Sequence, residues 1–318
     1  MMSVSSRNEG DHLSCKVADR HNAEHDSVDV TPPCILVVNP NSSLEMTLGM
    51  RDRLCSLHRC GRISRDVQLA FATADKEAGV PPSIDDFVDE IASAYLVHRQ
   101  IAHGKFKVLR EESVVEVEQS ACDKSVLQFR EHSLAPHGDP KQRPEQRVRL
   151  SMKNTSIDQS QAVLVACFSN HPLAQMLRVS HPHLKVLHIL EAAVLSALSS
   201  GGKFGILTTL QSMVDDIDEG ACAVIGHGHS RFVGTVAAGV NAAGLEDPKR
   251  KTEADRLVSE AAGLLASKGA KAIILGCAAM GDRASLIRQA CRNENVTVTI
   301  VDGTIAGVHL LTNLLHSE

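Results

Sequence analysis

Two cysteines stand out by position rather than by number. Cys167 closes the apolar run Ala162-Val163-Leu164-Val165-Ala166, and Cys277 closes Ala272-Ile273-Ile274-Leu275-Gly276. Such runs read as strands buried on both faces, and the carboxyl end of a parallel strand is where ligands bind in open α/β sheets. A helix start beyond each cysteine would turn N–H groups and partial positive charge toward the sulfur, lowering the thiol pKa. Two such thiols, one deprotonated, can remove a proton from one face of a carbon and return one to the other face.

The other cysteines suit packing. Cys34 lies near the start of its strand, Cys55 and Cys60 fall on a helix, and Cys222 and Cys291 carry no motif. The total of nine is odd, no CxxC occurs, and Cys55 with Cys60 fits no common zinc spacing, so a disulfide framework is not expected. Sixteen histidines include the HxH pairs His181/His183 and His227/His229, but no carboxylate or cysteine cluster completes either, and no metal is expected.

Elements that would carry the thiols alternate along the chain. Apolar strands are expected at 34–38, 67–72, 162–167, 185–190, 204–207, 233–240, 272–277 and 296–301, with helices between them. Ser42 or Ser43 would cap the first helix, and Ser83 to Asp86 would open the second. Pro172 would begin the helix after Cys167. A helix from Glu191 to Leu198 would close at Gly201-Gly202, another would run from Ala254 to Ser267, and a last one would follow Asp302-Gly303. Between about Gly104 and Asp158 the pattern fails under high charge, apart from a candidate strand at Val114–Val117. That segment reads as a partly disordered insertion. Strands without polar alternation, separated by helices, mean a parallel α/β fold. The pattern runs twice, and each run has one strand ending in cysteine.

Composition narrows the function classes. The chain has 318 residues, a 43% apolar fraction, no tryptophan and one tyrosine, which suits helices packed on a sheet with an aliphatic core. The net charge of −5 and the lack of a basic, aromatic-interleaved stripe give no reason to expect nucleic acid. No apolar run approaches the ~18 residues of a membrane span. The first 31 residues are polar and of mixed charge, so a disordered leader and a cytoplasmic protein are expected. Neither GxGxxG after a first strand nor GxxxxGK[ST] is present, so no nucleotide cofactor is expected.

The segments Ile35-Leu36-Val37-Val38-Asn39-Pro40-Asn41-Ser42-Ser43 with Met46-Thr47, Ala166-Cys167-Phe168-Ser169, Glu191-Ala192-Ala193, Leu207-Thr208-Thr209, Leu275-Gly276-Cys277-Ala278, and Val301-Asp302-Gly303 with Ala306-Gly307 resemble aspartate/glutamate/hydantoin racemases. They follow the family's order over residues 34–102 and 160–315, and the hydantoin and allantoin racemase-like branch is the most similar.

The resemblance implies two pseudo-symmetric lobes, each a parallel sheet flanked by helices, with the active site in the cleft between them. Residues 1–32 would be a leader, 33–186 with 302–318 the first lobe (104–158 inserted), and 187–301 the second. It further implies a cofactor-independent racemase acting on a hydantoin or allantoin, with Cys167 and Cys277 catalytic. Asn41, Ser42, Ser43, Phe168, Ser169, Thr208, Thr209, Gly276 and Ala278 would bind the substrate. A small molecule is the expected partner, and a homo-oligomer the expected assembly. Phe168-Ser169-Asn170-His171-Pro172 stands where many relatives have Gly-Asp-Pro, and His188-Ile189-Leu190 replaces a Gly-containing form. A decarboxylase, a cis-trans isomerase, an amino-acid racemase or a silent small-molecule binder remain as alternatives.

Overall fold

A computed structural model describes residues 32–113, 127–128, 148–154 and 156–317. The expected leader and the candidate strand at Val114–Val117 lie outside the described residues, apart from Pro32.

The first sheet holds β1 (Cys34–Asn39), β2 (Gln68–Thr73), β3 (Lys107–Ser113), β4 (Leu127–Gln128), β5 (Val148–Asn154), β6 (Ala162–Val165) and β7 (Lys185–His188) in the order β4-β5-β3-β2-β1-β6-β7. Strands β2, β1, β6 and β7 are parallel, while β3, β5 and β4 add antiparallel pairs at one edge. The second sheet is parallel throughout, in the order β11 (Thr299–Asp302), β10 (Ala272–Leu275), β8 (Phe204–Thr208), β9 (Phe232–Ala237).

Helices α1 (Leu44–Arg59), α2 (Phe87–Ala102) and α3 (Pro172–Ser180) belong to the first sheet's connections. Helices α4 (Ile189–Ser199), α5 (Val214–Ile225), α6 (Ala242–Glu246), α7 (Lys251–Ser267) and α8 (Ala284–Asn293) follow, and α9 (Gly303–Leu315) ends the chain. After β11 the chain crosses back, so that α9 packs on β6 and β7 of the first sheet as well as on α4. Gly307 makes that seat close: a Cβ there would lie 2.4 Å from Leu164 Cδ1.

One apolar cluster joins the two sheets. Ile35 and Leu164 from the first, Ile206 and Ile274 from the second, and Val194 and Val308 from α4 and α9 are all fully buried in it. Each such side chain contributes about 1.5–3 kcal/mol by leaving water. The two sheets therefore share a core.

Local chemistry explains most element bounds. Ser43 caps α1, its Oγ accepting from Met46 N, and Asp86 caps α2 through Asp89 N. Asp302 caps α9, accepting from Thr304 N and Ile305 N. Gly201, at φ +81°, follows α4 as a left-handed stop.

Several expectations need correction. The strand from Lys185 ends at His188 rather than Leu190, because the His188 ring caps a helix that starts at Ile189. The strand expected at 233–240 runs Phe232–Ala237, and that at 296–301 runs Thr299–Asp302. The segment 104–158 is not wholly an insertion outside the sheet, since β3 and β5 pair along seven residues from Lys107↔Asn154 to Ser113↔Val148. An edge ladder needs apolar anchors only where it meets the core, here Phe106, Val108 and Leu109, which hides it from a search for continuous apolar runs.

Candidate active site

Both cysteines sit where their strands end. Beyond β6, Ala166 N still donates to Val38 O at 2.8 Å, and Cys167 follows as the first residue off the ladder. Beyond β10, Gly276 N donates to Leu207 O at 2.7 Å, and Cys277 follows. A Cβ on Gly276 would lie 2.7 Å from that same carbonyl, so only glycine lets the Cys277 loop pass this close to β8. The two thiols come within electrostatic reach of each other, for charge on Cys277 raises the pKa of Cys167.

Their surroundings differ. Cys277 stands at the N-cap position of a 3-10 turn over Ala278–Arg283. Arg53 of α1 braces this turn, donating to Ala278 O at 3.3 Å and to Thr304 Oγ1 at 3.3 Å, with an ion pair to Asp302 at 3.4 Å. After Cys167, by contrast, Phe168 and Ser169 are buried and α3 does not begin until Pro172, capped by His171. The expected fall in thiol pKa does not hold here. Burial pushes Cys167 up to about 12; Ser169's hydrogen bond pulls down, while charge on Glu90, Cys277 and Asp216 pushes further up. The helix that follows this sulfur starts only at Pro172, five residues on.

Sequence reasoning missed Glu90 and Asp216. Ser169 Oγ lies 3.5 Å from Cys167 Sγ and donates to Glu90 Oε1 at 3.0 Å. Glu90 is fully buried on α2, and burial, with Asp216 beside it, raises its pKa to about 7. Asp216, in the first turn of α5, is also raised by burial, although the Asn170 N–H and the bond with Glu90 pull it down. The signal for Glu90 is weak: it shares the buried face of α2 with Ala94, Val97 and Ile101, but Ser93 and Gln100 are buried there too. Asp216 is one of four acids between Asp215 and Glu219, and nothing in the sequence singles it out.

The remaining expected residues divide into two groups. Asn41, Ser42 and Ser43 hold the β1–α1 loop: Asn41 Oδ1 accepts from Asn39 Nδ2 at 2.8 Å and Ser43 N at 2.9 Å, while Ser42 Oγ donates to Val80 O at 2.9 Å. Thr208 is buried, its Oγ1 donating to Gly276 O at 3.4 Å, so β8 and the Cys277 loop are tied together. Thr209 and Ala278 are half-buried at the same strand ends. His188 and Glu191 are occupied locally, with Arg178 donating to Glu191 Oε2 at 2.6 Å, and burial lowers the His188 pKa to about 4. Of the HxH histidines, His183 pairs with Asp158 at 3.4 Å and His227 with Glu219 at 3.7 Å.

The family model for Asp/Glu/Hydantoin racemase matches residues 136–311, both cysteines included. The chain belongs to the Asp/Glu/hydantoin racemase family. A hydantoin racemase of Rhizobium meliloti is 31% identical over 155 residues, 48% of this chain and 60% of that protein. An uncharacterised protein of Schizosaccharomyces pombe is 36% identical over 159 residues, 49% of this chain and 64% of that one. The chain thus spans a little under two thirds of these relatives. The crystal structure of allantoin racemase from Pseudomonas fluorescens shares the fold, with a TM-score of 0.60 and 18% identity, covering 89% of this chain and 91% of that one. Among the described residues no helix is long and apolar enough to cross a membrane.

Proposed function

We propose that the protein racemises a 5-substituted hydantoin or allantoin without a cofactor, using Cys167 and Cys277 as the two proton-transfer groups. The observation that carries this reading is the approach of two strand-end thiols from different sheets. A proton at a carbon beside a ring carbonyl can be removed by a thiolate on one face, giving an enolate. The thiol on the opposite face then protonates it, and the roles exchange in the reverse direction.

The acids beside Cys167 favour its neutral thiol, which suits it to the acid role, with Cys277 opposite it as the base. Ser169, Thr209 and Ala278, with Phe168 and Gly276, form the proposed substrate contacts. Asn41, Ser42, Ser43 and Thr208 fix the loops that present them. N–H groups at these strand ends would stabilise the developing enolate oxygen. The hydantoin and allantoin racemases among the similar proteins support a cyclic ureide as the substrate class.

Incubation with enantiopure allantoin and, separately, an enantiopure 5-alkylhydantoin tests the reading. Loss of optical rotation above the spontaneous rate is expected with at least one, and the faster compound names the substrate. Rotation that decays only at the background rate with both would overturn it, and acidic amino acids, malonates and maleate would be assayed next.

A further inference from the structure

We propose that Glu90 and Asp216 form a buried acid pair that holds one proton between them and, through the Ser169 hydroxyl, sets the protonation state of Cys167. They are positioning residues: neither needs to touch the substrate.

The geometry points to a shared proton. Glu90 Oε2 and Asp216 Oδ2 are both buried and receive no N–H or O–H from the described residues, although the two carboxyls are within bonding range of each other. Two ionised carboxylates so placed would repel each other without solvent to screen them, whereas one proton between them supplies a donor for the contact. The pair also spans the two lobes, with Glu90 on α2 of the first and Asp216 on α5 of the second. The same seam is held by Ser212 Oγ donating to Asp85 O at 2.8 Å. Gly220 of α5 lies close enough to the Cys167 loop that a Cβ there would be 3.0 Å from Asn170 Cβ.

Cys277 faces this cluster from the end of β10, and on α5 Asp218 also has a buried carboxylate oxygen. His171 at the start of α3 lies 3.5 Å from Ser93 of α2 and is kept neutral by burial, its pKa lowered to about 3. His188 and Glu191 start α4, the helix packed against α5. None of these places a cation against Cys167.

The hydroxyl hydrogen of Ser169 can serve only one acceptor at a time. In the resting state Cys167 S–H points to Ser169 Oγ, and Ser169 O–H donates to Glu90 Oε1. When Cys167 gives its proton to the substrate carbon, Ser169 turns its hydrogen to the thiolate. The shared proton settles on Glu90, which has lost its donor, and the pair keeps one proton and one negative charge throughout. Loss of that last proton would put two negative charges beside Cys167 and hold its thiol protonated.

This inference rests on Cys167 as a proton carrier, but its test needs no substrate, so it can fail independently of the racemase reading. Carbamidomethylation of each cysteine by iodoacetamide would be followed by peptide mass spectrometry from about pH 6 to pH 10, for wild type, Glu90→Gln and Asp216→Asn. Both variants should alkylate Cys167 about tenfold faster near pH 8, with the rate profile displaced about one unit toward acid. The exposed Cys60 should keep its rate, and the buried Cys291 should stay unreactive as a check on folding. An unchanged Cys167 profile in folded variants would overturn the proposal. Should both variants unfold, infrared spectra of the wild-type protein decide: a buried protonated-carboxyl band at about pH 6 that fades by about pH 8 is expected, and its absence contradicts the shared proton.

Discussion

At Cys277 the chain leaves β10 straight into a 3-10 turn with the cysteine at its N-cap position, and Arg53 braces that turn from the other lobe. At Cys167 it leaves β6 into a loop where Ser169 bonds to the half-buried sulfur, with Glu90 and Asp216 close by. The strand-plus-cysteine pattern is thus repeated, whereas the electrostatics are not. A reversible proton transfer needs one thiol charged and one neutral at any moment, and two identical loops would leave that choice to chance. The structure breaks the symmetry by setting acids beside one sulfur.

The largest expected effect comes from removing either side of the comparison. Cys167→Ser and Cys277→Ser should each lower kcat for ureide racemisation by roughly a thousandfold, in the range set by general acid–base groups. The double variant should be little worse than either single one, because the two groups act as a unit. A variant retaining a tenth of wild-type kcat would remove its cysteine from the mechanism.

Arg53→Ala acts on the Cys277 side alone. It frees the turn carrying Ala278 and unpairs Asp302, so kcat should fall on the order of tenfold to a hundredfold. The alkylation profile of Cys167 should stay where it was. A matching change at both cysteines would mean that Arg53 holds the lobes together rather than one loop.

Gly276→Ala should be felt in stability before activity. The new Cβ meets backbone at 2.7 Å, which β8 cannot yield cheaply, and a cost on the order of 1–3 kcal/mol is expected in denaturant unfolding.

The smallest effects are in the pH dependence of stability. Glu90 has its pKa raised in the folded state to about 7, so its contribution is present below the unfolded value of 4.5 and lost as pH rises through 7. Glu90→Gln should therefore gain on wild type as pH rises from about 5 to 8. His171 and His188 have the opposite sign, lowered by burial to about 3 and about 4 from 6.5. Their contribution is present above 6.5 and lost as pH falls, so thermal unfolding of His171→Asn should respond less to acid than wild type does. Parallel pH profiles for each variant and wild type would contradict these assignments.

Much of the fold was legible because buried parallel strands write themselves as unbroken apolar runs, and because Ser43, Asp302 and Gly201 do the work their residue types suggest. The antiparallel edge was not legible, since β3 and β5 carry many charged residues and declare themselves only through pairing. Of the candidate site, the two cysteines and Ser169 could be found from strand ends and family motifs. The acid pair could not be found as a pair, because Glu90 and Asp216 meet only when α2 and α5 pack across the lobes. The rise in the Cys167 pKa is hidden for a related reason: the sequence shows a helix following Cys167, but not that it starts only at Pro172, nor that acids from α2 and α5 come beside the sulfur.

The central claim, two thiols on opposite faces of one carbon, is tested most directly by early-conversion isotope labelling. Enantiopure substrate would be taken to a few per cent conversion in D₂O, and deuterium at the ring carbon measured separately in the two enantiomers after subtracting spontaneous exchange. The account predicts deuterium in the newly formed enantiomer and protium in the unreacted one, because the proton removed by one cysteine is not the one delivered by the other. Protium carried into the product, or deuterium appearing equally in both enantiomers, would mean that a single group serves both faces and would contradict it.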